Sequence, residues 1–240
     1  MSSRAPALLL LVATCVLGLG NLACDSDNPT LTVRGLRTFT VRIENLTSSQ
    51  PFSPGFVATH STRDAAWATG TNASEGLRLI AENGDPTTAV TELDANPAVG
   101  AVVDTAAPVH RIGGPGDSVI ELTITAAPDD EYLSLAVMLI CTNDGFVGVN
   151  STPLPTGTDP STVMLNTYDA GTEANDERFV NIVDPCGAIG PEAVAGDGSN
   201  GRTATAVAIA RHGGVTGGGD LSPTHDWTDP VARLTITPVP

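Results

Sequence analysis

The sequence Leu133-Ser-Leu-Ala-Val-Met-Leu-Ile-Cys141 is apolar at almost every position, and it sets the architecture that we predict for the chain. A strand with one face in water alternates apolar and polar side chains, whereas a strand covered on both faces loses that alternation. This segment therefore predicts a central strand with protein packed against each of its faces.

Two segments away from this strand show the alternation of half-buried strands. In 39–46 the apolar side chains at positions 39, 41 and 43 alternate with polar ones, and 118–125 places Ile120, Leu122 and Ile124 on one face. Shorter runs that also predict strands are 163–165, 203–210 and 231–237. Together with the central segment these are six named strands, and we expect about seven in all.

The connection between the first two alternating segments is long and predicts two short helices. Residues 74–82 suit a helix that is capped by Asn72 or Ser74 and ends near Gly84, and 87–96 is a second helical stretch. The segment Gln50-Pro51-Phe52-Ser53-Pro54-Gly55 predicts a turn-rich loop, because two prolines and a glycine disfavour regular pairing. We therefore expect an all-β fold, an antiparallel β-sandwich with one or two short helices in a long connection.

The first 23 residues predict a signal peptide, because Arg4 is the only charge before an apolar run over 5–19. A small residue then precedes Cys24, which resembles a bacterial lipoprotein cleavage site. Cys24 would then carry the lipid, 24–36 would form a polar tether, and 37–240 would form one folded domain. Ordinary signal-peptidase cleavage nearby is the alternative. The expected location is the cell envelope, periplasmic or at the cell surface, with a lipid anchor.

The chain is strongly acidic, with a formal net charge of −16 and 27 acidic residues against 11 basic ones. Such a chain repels nucleic acid and anionic membrane surfaces. We therefore expect no nucleic-acid partner, and membrane contact only through the N-terminal lipid.

The cysteines leave one pair in the folded domain. Cys15 would leave with the signal peptide and Cys24 would carry the lipid, so Cys141 and Cys186 remain. An even pair in an oxidising compartment predicts a disulfide. Two buried, unpaired thiols are the alternative.

Carboxylates on two separate turns suggest a metal site. Asp144 lies in Asn143-Asp144-Gly145-Phe146, and Asp169 and Glu173 lie in Tyr168-Asp-Ala-Gly-Thr-Glu173. Three such carboxylates can converge on one Ca²⁺, which takes about six to eight oxygen ligands. Asn143 and Asp176 are further candidates. The alternative is a hairpin turn at Asp144-Gly145 and an Asx turn at Asp169.

A second set of candidate ligands lies near the C-terminus. His212, His225 and Asp226 flank a glycine-rich loop, where they could bind zinc or act as acid and base in a periplasmic metal-dependent hydrolase. Surface histidines near tight turns are the alternative interpretation. The chain has no Gly-x-Ser-x-Gly or Ser-x-x-Lys motif, which argues against nucleophilic serine chemistry.

Three motifs together resemble the spondin domain family. They are Asn143-Asp-Gly-Phe-Val-Gly148, Tyr168-Asp-Ala-Gly-Thr-Glu173 and Asp226-Trp-x-x-Pro-Val-Ala-Arg-Leu-Thr-Ile236. The resemblance implies a C2-like β-sandwich, one calcium ion held by Asp144, Asp169 and Glu173, and an extracellular recognition role. It favours a surface-anchored adhesion-type module without catalytic activity, whose ligand would be an extracellular protein or glycan.

Overall fold

The computed structural model describes residues 35–193 and 201–240. The predicted signal peptide, Cys24 and most of the predicted tether lie outside the described residues. The strands within these ranges are β1 Arg37–Asn45, β2 Phe52–His60, β3 Val99–Asp104, β4 Val119–Ala126, β5 Tyr132–Leu139, β6 Gly145–Pro153, β7 Ser161–Asp169, β8 Ala210–Arg211 and β9 Ala232–Val239. The helices there are α1 Glu75–Asn83, α2 Thr87–Asp94 and α3 Pro185–Ile189, with 3₁₀ turns at Phe179–Asn181 and Pro223–His225.

The strands form an antiparallel sheet in the order β3-β2-β5-β6-β7-β9-β1-β4, with β8 paired to β7. Strand β7 connects two layers, because residues 161–165 pair with β9 and residues 166–169 pair with β6. One layer contains β4, β1 and β9, and the other contains β3, β2, β5 and β6. The predicted all-β class and the antiparallel sandwich are confirmed.

Strand β5 is buried on both faces, as its sequence predicts. Leu133, Leu135 and Val137 point into the core between the layers, where they meet apolar side chains of β1 and β9. Ala136 and Met138 point the other way and pack beneath α1 and α2. Burial of one such large apolar side chain contributes about 1.5–3 kcal/mol, so the two-sided cover of β5 is a major source of stability.

The first helix begins and ends where the sequence predicts. The Ser74 hydroxyl accepts a hydrogen bond from the backbone N–H of Leu77 at 3.2 Å, which satisfies one free donor of the first turn. Gly84 ends the helix in the left-handed conformation, with φ of 67°. This helix carries Glu82 towards the candidate site described below.

The loop predicted for 50–55 is wrong, because β2 begins at Phe52 and includes Pro54 and Gly55. The ladder with β5 is irregular between Phe52 and Gly55, where proline offers no N–H. Hydroxyl groups supply the missing partners: Ser53 Oγ accepts from Met138 N at 3.0 Å, and Gly55 N donates to Thr105 Oγ1 at 2.9 Å. Glycine is needed at position 55 because a Cβ there would overlap the carbonyl oxygen of Ala136.

Two further strand predictions are corrected. The run at 163–165 extends over Ser161–Asp169 and so places Asp169 at the end of β7. The strand predicted over 203–210 is reduced to β8 and one bridge between Glu173 and Ala204. Most of 203–209 instead lies against the loop after β7, with Val207 N donating to Gly171 O at 3.0 Å.

Of the helices in the described ranges, none combines the length and the apolar character needed to cross a membrane.

Candidate functional site

Asp144 and Asp169 meet at one end of the second layer because of the pairing of β6 with β7. Gly145, the first residue of β6, lies opposite Asp169, the last residue of β7. The backbone of Ala170 then donates to the carbonyl oxygen of Asp144 at 3.1 Å. Two of the three predicted metal ligands are thus brought to the same end of the sandwich by strand register.

The Asp144 carboxylate is fully buried, and only one of its two oxygens accepts hydrogen bonds. Its Oδ2 accepts hydrogen bonds from the backbone N–H groups of Thr172 at 2.7 Å and Glu173 at 3.0 Å. Its Oδ1 is buried and has no hydrogen-bond partner. Burial first, and then the negative charge of Asp169, raise the pKa of Asp144 to about 6. This carboxylate therefore lies in a position that favours either a proton or a cation.

Asp169 forms the Asx turn that its sequence suggests. Its Oδ1 accepts from Gly171 N at 2.7 Å, and Gly171 has a left-handed φ of 73°. Its Oδ2 accepts from the side-chain amide of Asn175 at 2.5 Å. The turn interpretation therefore holds for this residue, and the turn places the carboxylate beside Asp144.

Glu173 is 3 % exposed and faces a different set of groups. Its Oε1 accepts from Asn143 Nδ2 at 3.0 Å, while its Oε2 has no hydrogen-bond partner and lies 3.5 Å from Arg202 Nε. Burial raises the pKa of Glu173 to about 7, although Asn143 and Arg202 act in the opposite direction. Arg202 thus stands beside Glu173 as a built-in cation.

Arg202 also belongs to this site, although its sequence context does not predict it. Its Nη2 donates to the backbone oxygen of Glu82 at 2.6 Å, and its Nη1 donates to Asn83 Oδ1 at 2.7 Å. The guanidinium thereby links the end of α1 to Glu173. No local sequence pattern predicts this contact, because Arg202 follows a glycine-rich segment and its partners lie far away in the sequence.

The three carboxylates do not converge on a single point. Their oxygens are not all within 4.8 Å of one another; among the described residues only Cys141, Cys186 and His225 form a trio of His, Cys, Asp and Glu ligand atoms that does. The observation that fits a hard cation is Asp144 Oδ1, a buried oxygen without a hydrogen-bond partner; Glu173 Oε2 also accepts no hydrogen bond but is ion-paired with Arg202. Carboxylate and backbone oxygens are the donors that Ca²⁺ prefers.

The set proposed for hydrolysis is dispersed. His212 accepts a hydrogen bond at Nδ1 from Gly214 N at 3.0 Å, and its ring packs on Trp227 with centroids 5.0 Å apart. Asp226 accepts from Val215 N at 3.0 Å, which fixes the glycine-rich loop. His225 is fully buried. The ligand atoms of His212, His225 and Asp226 do not form a cluster within 4.8 Å.

The fold also brings a serine and a histidine together, a contact that their spacing in the sequence does not predict. His60 Nε2 lies 2.8 Å from Ser134 Oγ, and His60 Nδ1 lies 2.7 Å from the carbonyl oxygen of Thr62. Both side chains are 0 % exposed, so a substrate has no access to the hydroxyl. The pair joins β2 to β5 inside the sheet.

The structure joins Cys141 and Cys186 by a disulfide, with Cα atoms 5.1 Å apart and a sequence separation of 45. The bond ties the turn after β5 to α3. A disulfide that closes a loop of this length lowers the conformational entropy of the unfolded chain, and in this description it stabilises the fold by about 4 kcal/mol. The disulfide therefore anchors the segment that follows Glu173.

The match to a family model agrees with this architecture. The Spondin_N model matches residues 43–177, which is more than half of the chain and includes Asp144, Asp169 and Glu173. The chain belongs to the spondin N-terminal domain family. Membership suggests an extracellular recognition module and is consistent with an exported protein. No curated protein matches the chain.

Proposed function

We propose that the protein is a calcium-binding recognition module of the cell envelope, without catalytic activity, that binds an extracellular protein or glycan and is attached to the membrane by a lipid on Cys24. One observation carries the calcium assignment: the buried, half-satisfied carboxylate of Asp144, placed beside Asp169. Glu173, on the loop that follows Asp169, supplies a second buried oxygen without a hydrogen-bond partner, which a cation would share with Arg202.

A cation would remove an energetic cost at this position. Burying an ionised carboxylate without compensation is unfavourable, and two adjacent carboxylates repel each other. The backbone N–H groups of Thr172 and Glu173 compensate only Oδ2 of Asp144. A calcium ion at Oδ1 would supply the missing positive charge, and Asp169 and Glu173, whose charges interact with that of Asp144, are the carboxylates that could join it.

The same contacts suggest how the ion would support recognition. Residues 169–175 form a loop at the end of the sandwich, held by Asp144, Asn143 and the Asx turn at Asp169. An ion bound to Asp144 and Asp169 would order this loop. Loops presented by a rigid sandwich are the usual location of binding residues. We therefore assign the recognition surface to this end of the molecule.

Calorimetric titration with calcium tests the assignment. The wild-type protein, after removal of divalent ions, is titrated with CaCl₂ alongside the variants Asp144→Asn and Asp169→Asn. Asp129→Asn, an exposed residue in the turn between β4 and β5, is the matched control. We expect one calcium ion per chain for the wild type and the control, and loss of binding in the other two. Equal binding by all four proteins, or none in the wild type, would refute the calcium assignment.

A further inference from the structure

A second group of potential ligands is buried at the disulfide. The two sulfur atoms of Cys141 and Cys186 and a ring nitrogen of His225 all lie within 4.8 Å of one another. The three side chains are 0 %, 1 % and 0 % exposed. They come from three separate segments: the turn after β5, helix α3 and the 3₁₀ turn Pro223–His225.

The imidazole of His225 has one ring nitrogen in contact with Ser222 and one that is buried without a partner. Its Nδ1 accepts from Ser222 N at 3.2 Å and lies 3.3 Å from the carbonyl oxygen of the same residue, whereas its buried Nε2 has no hydrogen-bond partner. Zinc binding would select the tautomer in which Nδ1–H donates to that carbonyl and Nε2 carries the free lone pair. Histidines that bind metals commonly use the other ring nitrogen in this way. Burial lowers the pKa of His225, which favours the neutral ring that a metal requires.

The backbone around the group is held by one side chain. The Gln50 side-chain Nε2 donates to the carbonyl oxygen of His225 at 2.7 Å, and its Oε1 accepts from Cys141 N at 3.1 Å. Gln50 is itself 0 % exposed. It therefore fixes two of the three ligand-bearing segments relative to each other, whatever the state of the sulfur atoms.

The surroundings of the group are apolar. Ile140, Ile182 and Leu221 are buried against the cysteines, with Phe179 and Val215 packed outside them. Thiolate and imidazole ligands suit zinc, in contrast to the oxygen donors that suit calcium. In a tetrahedral site with Zn–S of about 2.3 Å and Zn–N of about 2.0 Å, the ligand atoms lie about 3.5–3.8 Å apart. A group confined within 4.8 Å meets that requirement once the two sulfurs are free to separate.

We propose that Cys141, Cys186 and His225 form a zinc site when the disulfide is reduced, so that the same two sulfurs serve either a disulfide or a metal ion. Reduction by two equivalents of a low-molecular-weight thiol breaks the S–S bond, forms two S–H groups and oxidises the thiol to its own disulfide. Zinc then binds both sulfurs and displaces their two protons, with no change of oxidation state. Water completes the coordination.

Zinc uptake by the purified protein tests this proposal. The protein is reduced with excess dithiothreitol, passed into reductant-free buffer under argon, incubated with one equivalent of ZnCl₂, desalted and assayed for zinc by mass spectrometry. The unreduced protein is treated in parallel. His225→Asn retains a polar atom near the place of Nδ1 but lacks Nε2, and His212→Asn is the matched control in the neighbouring loop. Circular dichroism follows folding in every sample.

We expect the reduced wild type and His212→Asn to retain one zinc ion per chain. The unreduced protein should retain none, and His225→Asn should bind at least tenfold more weakly. Cobalt in place of zinc should give a thiolate charge-transfer band in the reduced wild type, because Cys141 and Cys186 are then its ligands. If the reduced chain unfolds, zinc should restore its circular dichroism spectrum. Absence of zinc uptake, uptake unchanged in His225→Asn, or uptake without a thiolate band in the cobalt form would overturn the proposal.

Discussion

The substitution Asp144→Asn should change how the stability of the protein depends on pH. Burial and Asp169 raise the pKa of the Asp144 carboxyl from the ordinary 3.8 to about 6 in the folded state. Well below pH 3.8 this carboxyl is protonated in both the folded and the unfolded state and carries no penalty. As the pH rises through 6, the folded protein must ionise this buried carboxyl. The contribution that its retained proton made to the free energy of unfolding is then lost.

The size of this loss follows from the pKa difference. One pKa unit corresponds to about 1.4 kcal/mol, so the change from 3.8 to about 6 corresponds to about 3 kcal/mol. Glu173 acts in the same direction between its ordinary 4.5 and about 7, but it is present in both proteins. We therefore expect the free energy of unfolding to fall between pH 4 and pH 8 by about 2–2.5 kcal/mol more in the wild type than in Asp144→Asn, because part of the loss has already occurred at pH 4.

Urea unfolding followed by the fluorescence of Trp67 and Trp227 measures the difference, at pH 4 and pH 8 with a chelator present. Asp129→Asn, which changes an exposed carboxylate, should keep the wild-type pH dependence. The calcium proposal adds a second readout. Saturating calcium at pH 8 should restore the stability of the wild type, by about 2.7 kcal/mol at a hundredfold excess over Kd, and leave Asp144→Asn unchanged. Identical pH dependence in the wild type and Asp144→Asn would refute the assignment of the raised pKa.

Two further predictions concern Arg202 and Cys24. Arg202 lies 3.5 Å from Glu173 and would compete there with the proposed calcium ion. Arg202→Gln should therefore tighten calcium binding several-fold in calorimetry, while lowering the calcium-free stability by about 1–3 kcal/mol because Glu173 is left buried without its ion-pair partner; calcium affinity unchanged or weakened would contradict this role. Cys24→Ser should move the protein from the membrane fraction to the soluble fraction on immunoblots of fractionated cells, because it removes the proposed site of acylation; a wild type already soluble would disprove lipid anchoring.

The sequence by itself determined the parts of the fold that depend on local chemistry. The unbroken apolar run of β5 predicted cover on both faces, because a strand with one wet face would alternate. The hydroxyl of Ser74 and the left-handed Gly84 bound the first helix, because free backbone groups at helix ends need such partners. The motifs around Asp144 and Asp169 also identified the family before any contact was known.

Tertiary structure decided the features that depend on distant partners. Strand β2 passes through Pro54 and Gly55 because hydroxyls of Ser53 and Thr105 complete its hydrogen bonding, and sequence patterns do not show that help. The contact of Arg202 with Glu173 likewise appears only after folding.

The cluster of Cys141, Cys186 and His225 shows the same principle most clearly. Its members come from three segments that lie far apart in the sequence and close together in the folded structure. Residue spacing predicts neighbours within one helix or strand, since the backbone fixes those distances. Contacts between loops depend on the packing of the whole core, so only the folded structure reveals them.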